Sequence, residues 1–180
     1  MRIKESKGYS LVEVMIVLLI FGIMATLSSY SYRRYVLNAN LRTAARQLAT
    51  DINTMKGVAV SQMNTAVTIS FNTLINSYTL SSYALSATAT RPAETKSLTS
   101  IYPGQGINIY SLPGGGTTYT LTFLTRGLLS SSPNAIPSAI TNCDATTTYT
   151  CWIVFKNSRG SQATITFNIE GKTYVTFAMK

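Results

Sequence analysis

Three patterns of apolar and polar positions follow one another along this chain. The first is a run without charge. From Val14 to Tyr32 no Asp, Glu, Lys or Arg interrupts a mostly apolar series. A helix needs about 20 such residues to cross a hydrocarbon core, so the run is long enough to span one. The second pattern is a stripe. Leu37, Leu41, Ala44, Ala45, Leu48, Ile52, Met55 and Ala59 recur at three- and four-residue steps, which marks one apolar face of a helix. Arg42, Arg46 and Asn53 fall on its other faces. No proline separates run from stripe, so the pattern predicts one helix from about Ser10 to about Gln62. At 1.5 Å per residue it is about 75 Å long. Gly22 and the Ser28-Ser29 pair are its softest points by helix propensity.

After Gln62 the period changes from 3.6 to 2, the third pattern. Val67, Ile69 and Phe71 alternate with Thr68 and Ser70, which predicts a strand. A turn over Leu74 to Asn76 leads to a second strand, Ser77 to Tyr83. Residues 86–100 are small, polar and broken by Pro92, and read as a loop. A short strand, Ile107 to Leu112, ends at Pro113-Gly114-Gly115-Gly116. Tyr119, Leu121 and Phe123 alternate with threonines before a turn at Thr125-Arg126-Gly127. Ser130 to Thr150 holds two prolines and reads mostly as loop. Trp152 to Phe155 is a strand and Asn157-Ser158-Arg159-Gly160 a turn. Ala163, Ile165, Phe167 and Ile169 then share one face, and Glu170-Gly171-Lys172 turns into a last strand, Thr173 to Phe177. The fold class expected is α+β. A long N-terminal helix, transmembrane in its first half and amphipathic in its second, packs on a small antiparallel two-sheet β domain.

Charge narrows the chemistry. The net charge is +9, only 12% of residues are charged, and there is no histidine. That removes the commonest general base and metal ligand. Beyond Glu13 the acids are Asp51, Glu94, Asp144 and Glu170, scattered singly. There are no paired carboxylates, no Cys/His cluster and no phosphate loop, so an enzyme, a metal and a cofactor are all unexpected. A basic balance points instead to nucleic acid, anionic headgroups or acidic partners.

The head of the chain is more specific. Arg2, Lys4 and Lys7 precede Gly8, then Tyr9-Ser10-Leu11-Val12-Glu13 opens the apolar run. A secretory signal peptide would need a shorter core and a small-residue cleavage site after it. An ordinary anchor explains neither Gly8 nor Glu13. A lone acid costs about 2.5–3.5 kcal/mol at mid-bilayer on insertion scales, so Glu13 needs a partner or a role. The stretch Lys7-Gly8-Tyr9-Ser10-Leu11-Val12-Glu13 resembles the class III signal of type IV prepilins and type II secretion pseudopilins. The resemblance implies prepilin peptidase as a partner, cutting between Gly8 and Tyr9 on the cytoplasmic side and methylating the new N-terminus. Tyr9 stands where the family usually has phenylalanine.

The resemblance also implies assembly with other pilins by stacking of N-terminal helices. Glu13 would then pair with the free amine of Tyr9, on the same or a neighbouring subunit, because a buried carboxylate needs an opposite charge. Alternatively Glu13 sits at interface depth near a helix N-terminus, which favours acids. Cleavage removes three bases and one acid, so the side-chain charge falls from +9 to +7. The expected divisions are a leader, 1–8, a transmembrane or filament-core helix, 9–32, its amphipathic continuation, 33–62, and a β-rich domain, 63–180. The basic leader lies in the cytoplasm by the positive-inside rule, which places the protein in the bacterial inner membrane with the β domain in the periplasm. In that compartment Cys143 and Cys151 are expected to form a disulfide. It would stabilise by about 2–3 kcal/mol in the chain-entropy model.

Leu41 to Tyr78 is similar to the GspH/FimT branch of pseudopilins and minor pilins. So are Leu121-Thr122-Phe123 with Arg126-Gly127, and Ile165-Thr166-Phe167 with Gly171-Lys172. That branch implies a low-abundance subunit. Some members bind DNA in natural transformation through an arginine motif near the last turn. Here Gly171-Lys172-Thr173-Tyr174 stands in that place, with lysine for the first arginine and no second. Lys156, Arg159, Lys172 and Lys180 would form a cationic patch for double-stranded DNA if the final hairpins join them. Otherwise they are solvated charges at strand ends. Tyr102, Tyr110, Tyr119, Tyr149 and Trp152 would either stack bases or fill the core.

Overall fold

The computed structural model describes residues 10–61, 67–84, 89–123, 143–144, 150–168 and 171–180. Helix α1 covers Leu11–Ser61, within one residue of the expectation at each end. The chain divides into two compact units after Val36.

In the first unit the described part is the opening of α1. Its apolar side chains, from Leu11 through Phe21 to Leu27, are exposed. Thr26 Oγ1 donates to Ile23 O at 2.8 Å, so this hydroxyl is satisfied inside the helix. That matters where no water is available.

The second unit holds the rest of α1 and the β domain. Every stripe residue from Leu41 to Ala59 is buried, while Leu37 is half-buried. Eleven strands follow among the described residues. They are β1 (Val67–Asn72), β2 (Ser77–Leu80), β3 (Tyr83–Ala84), β4 (Thr90–Arg91) and β5 (Glu94–Ser97). A single turn of helix, α2 (Leu98–Ile101), precedes β6 (Asn108–Ser111) and a 3-10 turn, Pro113–Gly115. Next come β7 (Thr118–Phe123), β8 (Cys143–Asp144), β9 (Thr150–Lys156), β10 (Gln162–Asn168) and β11 (Thr173–Ala178).

One sheet has the order β5-β2-β1-β7, and the other runs β11-β10-β9-β6 with β8 also on β9. All these pairs are antiparallel. Alternate residues from both sheets join the helix stripe in one buried cluster. Val67, Ile69, Phe71, Leu121 and Phe123 come from the first sheet. Ile153, Phe155, Ala163, Ile165 and Phe167 come from the second. Asn76, in a left-handed backbone conformation at φ 49°, joins the β1–β2 turn to β6. Its Nδ2 donates to Ile107 O at 2.6 Å and its Oδ1 accepts from Ile109 N at 2.8 Å.

The stretch 86–100 is not simply a loop. Glu94–Ser97 returns along β2 with Leu80 opposite Glu94 and Ser77 opposite Ser97. This edge strand is polar on both faces, so it carries no period-2 apolar signal. Pro92 falls between β4 and β5, outside both ladders, as its missing N–H requires. The second strand also stops earlier than expected, at Leu80. Tyr83 and Ala84 pair with Arg91 and Thr90 in a separate two-stranded ribbon. Cys143–Asp144, read within a loop, pairs with β9 as β8. The expected turn at Thr125-Arg126-Gly127, the aromatic Tyr149 and the segment Ile169–Glu170 lie outside the described residues.

Candidate functional site

Gly8 and Tyr9, the expected processing site, lie outside the described residues. Ser10 opens α1: its carbonyl accepts from Glu13 N at 3.0 Å and from Val14 N at 3.3 Å. Glu13 therefore stands in the first turn, where unpaired backbone N–H groups favour a carboxylate. Leu11, Val12, Met15 and Ile16 around it are exposed. Soluble monomers rarely leave so continuous an apolar surface uncovered. Whatever covers it also meets the Glu13 carboxylate.

The four C-terminal bases divide into a group of three and one apart. In the β9–β10 turn, Gly160 adopts φ +84° and carries no side chain. A Cβ there would lie 3.8 Å from Lys180 Cδ and 3.9 Å from Lys156 Cε. Both lysines thus flank the glycine, with Arg159 beside it in sequence. Lys156 Nζ stands 4.3 Å from the centre of the Tyr110 ring, an attractive cation–π contact. Lys172 is elsewhere. It is exposed in the β10–β11 turn, with its backbone N donating to Asn168 Oδ1 at 2.8 Å. Since Gln162 pairs with Lys156 and Asn168 with Thr150, this turn is at the opposite end of the ladder. The length of β10 separates the two ends by about 20 Å.

A polar latch, which no local pattern of residues announces, holds the three-base end against α1. Asn157 is 4% exposed and Ser161 0%. Asn157 Oδ1 accepts from the backbone N of Arg159 and of Ser161, each at 3.0 Å, which fixes the turn. Its Nδ2 donates to Asn38 Oδ1 at 3.0 Å. Ser161 Oγ donates to the same Asn38 oxygen at 2.9 Å and accepts from Lys180 N at 2.9 Å. Helix, turn and final strand therefore meet at Asn38.

A second polar cluster ties α1 to the first sheet. Asp51 Oδ2 accepts from Tyr78 Oη at 2.7 Å and pairs with Lys96 Nζ at 2.8 Å. Gln47 Nε2 adds a bond to Oδ1 at 3.1 Å. The Lys96 and Asp51 side chains are only 15% and 9% exposed. Burial, and then the bond to Asp51, raise the Tyr78 hydroxyl far above the ordinary tyrosine range. Each carboxylate oxygen has donors, so the cluster reads as a clamp rather than a reactive centre.

The aromatics sort by burial. Tyr119 packs between Phe71 and Phe167, with ring centres 6.4 and 6.5 Å away. Burial pushes its hydroxyl up to about 12. Tyr102 and Trp152 are half-buried, whereas Tyr110 is 60% exposed. Arg42 and Arg46 both stand 5.9 Å from the Phe177 ring on β11. Cys143 and Cys151 face each other in the β8–β9 ladder.

Residues 3–29 match the family described as the prokaryotic N-terminal methylation motif. The match covers Lys4 and Lys7 of the basic head, Gly8, Tyr9, Glu13 and most of the uncharged run. The motif supports a type IV pilin-like protein, and the single apolar N-terminal helix among the described residues fits a membrane-anchored pilin. Comparison with curated proteins and with solved structures returns no match.

Proposed function

We propose that this pilin-like chain is a minor pilin or pseudopilin, a low-abundance subunit of a type IV pilus or type II secretion filament. The observation that carries this reading is the methylation motif at residues 3–29 heading a helix whose apolar side chains stand uncovered. A structural subunit needs such a surface for the membrane first and for neighbouring helices afterwards. Prepilin peptidase would remove residues 1–8 and methylate Tyr9. Glu13 would then neutralise the new amine, in its own or an adjacent subunit, as stacking excludes water from both. The globular domain would face the periplasm. The GspH/FimT branch is the finer assignment, supported by the helix leading to β1 and by the Leu121-Thr122-Phe123 and Ile165-Thr166-Phe167 strand patterns.

Two measurements test the reading. Mass spectrometry of the purified protein is expected to show a chain beginning at a methylated Tyr9. Glu13→Ala is expected to leave processing intact and abolish co-purification with the filament. Normal incorporation of that variant would refute the role given to Glu13.

A further inference from the structure

We propose that strand β11 is a docking edge for an extended, acidic segment of another protein, which adds to the sheet there and sets its carboxylates on Arg42 and Arg46 of α1. The inference concerns the second unit alone and stands whether or not the N-terminal helix enters a filament. The edge is the first argument. β11 ends its sheet, so one flank of its backbone has no strand partner among the described residues. Natural edges are usually blunted by charge, proline or a bulge. β11 runs Thr173-Tyr174-Val175-Thr176-Phe177-Ala178, without charge or proline, and its register with β10 is unbroken. The other edges differ. β5 carries Glu94 and Lys96, β6 shifts register between Ile109 and Ser111, and β7 turns Tyr119 into the contact with Phe167 of the second sheet. The core also thins at β11. Ala163 and Ile165 on β10 are buried, but Phe177 and Val175 opposite them are only half-buried. A further strand would lie about 4.7–4.9 Å beyond and cover them.

Charge identifies the occupant. Arg42 and Arg46 both stand 5.9 Å from the centre of the Phe177 ring. That contact is attractive, but it gives their N–H donors no oxygen to bond. Among the described residues neither guanidinium meets a carboxylate. Both residues are exposed, and their spacing of four on a helix sets the Cβ atoms about 5–6 Å apart. Alternate residues of a strand are spaced by about 6.4–6.8 Å, so acids at every second position would meet both arginines in charge-assisted bonds. A second copy of this chain is a poor occupant. Its net charge is +9, and Asp51 and Glu94 already engage Lys96 and Arg91. A phosphate polymer would answer the arginines but not the strand, whose open flank offers both N–H and C=O groups. An acidic polypeptide answers both.

The probe is a fluorescein-labelled twelve-residue peptide in which glutamate alternates with threonine, beside a counterpart with glutamine in place of glutamate. Each is titrated against the full chain in neutral phosphatidylcholine nanodiscs, with anisotropy as the readout. The acidic peptide is expected to bind about tenfold more tightly, the factor that about 1.4 kcal/mol represents. Arg42→Gln together with Arg46→Gln is expected to remove that margin and leave the binding of the glutamine peptide unchanged. Equal urea midpoints for this variant and the parent chain check that the exposed substitutions leave the fold intact. In the complex, the β11 amides that face away from β10 are expected to exchange with deuterium about tenfold more slowly, because the added strand bonds them. Equal affinities of the two peptides would overturn the proposal, as would an unchanged margin in the double variant. Binding without protection at residues 173–178 would do the same. Protection there in the chain alone, undone by dilution, would assign the edge to a second copy. Tighter binding of duplex DNA than of the acidic peptide, lost in the double variant, would assign the arginines to nucleic acid.

Discussion

Asn157 Nδ2 donates to Asn38 Oδ1 over 3.0 Å, joining a strand turn to a helix across 119 positions of sequence. Because Asn157 is buried, its amide has no water to fall back on. Asn157→Ala removes both the bond to the helix and the two bonds that shape the turn. A loss of about 2–3 kcal/mol is expected, from groups left unsatisfied in the interior. Asn38→Ala leaves the turn bonds in place and is expected to cost less, about 1 kcal/mol. Urea unfolding of the full chain in detergent, followed by tryptophan fluorescence, checks the order.

Tyr78 predicts a dependence on alkaline pH. Its hydroxyl is held protonated in the folded chain well above the ordinary value of 10.0. An unfolded chain releases that proton near pH 10, so the unfolded state binds fewer protons above it. Stability is full below pH 10 and falls as pH rises, by about 1.4 kcal/mol per pH unit for such a group. Tyr119, pushed up to about 12, contributes the same slope until pH 12. Tyr78→Phe is expected to remove its own share of the fall between pH 10 and 12 and to leave those of Tyr119 and of Tyr102, which burial also raises. At neutral pH it costs about 1.5–3 kcal/mol, the value of a hydrogen bond to a charged group. Unfolding curves at stepped pH test both statements.

The Asp51 clamp is expected to respond unequally to the loss of its two sides. Asp51→Ala leaves the Lys96 ammonium, 15% exposed, with only its longer 3.9 Å contact to Glu94 and leaves the Tyr78 hydroxyl without its acceptor, and is expected to cost about 3 kcal/mol. Lys96→Met leaves Asp51 with bonds from Tyr78 and Gln47. Its cost is expected to be well under half of that. Equal midpoints for the two variants would contradict the clamp.

Cys143 and Cys151 stand directly opposite in an antiparallel pair. Opposed residues in such ladders have Cα atoms about 4.5–5.5 Å apart, inside the range a disulfide spans. Reduction is expected to lower stability by about 2–3 kcal/mol. A chain with both cysteines replaced by serine should lose the same amount and no longer respond to reductant. A thiol titration that finds two free groups in the native protein would reject the bridge.

Much of this architecture was legible because it repeats. The three- and four-residue spacing from Leu41 to Ala59 marks buried positions without exception. The alternation in Val67, Ile69 and Phe71 marks β1 equally well. β5 escaped because Glu94–Ser97 has polar residues on both faces and is fixed by partners instead of by periodicity. Asp51 escaped for a related reason: its partners lie 27 and 45 positions away, and a single acid on a helix gives no local sign of them. The division among the C-terminal bases was open to inference. Successive turns of a meander fall at opposite ends, so the turns at Arg159 and Lys172 could not meet.

The meeting of helix, turn and last strand at Asn38 also has a mechanical meaning. A chain held by its N-terminal helix takes tension first at Leu37 and Asn38. The bonds there lead to Asn157 and Ser161, which flank β9 and β10, the inner strands of the five-stranded sheet. Pulling force therefore enters at the inner strands of that sheet. It spreads over whole ladders at once, rather than peeling an outer strand one bond at a time.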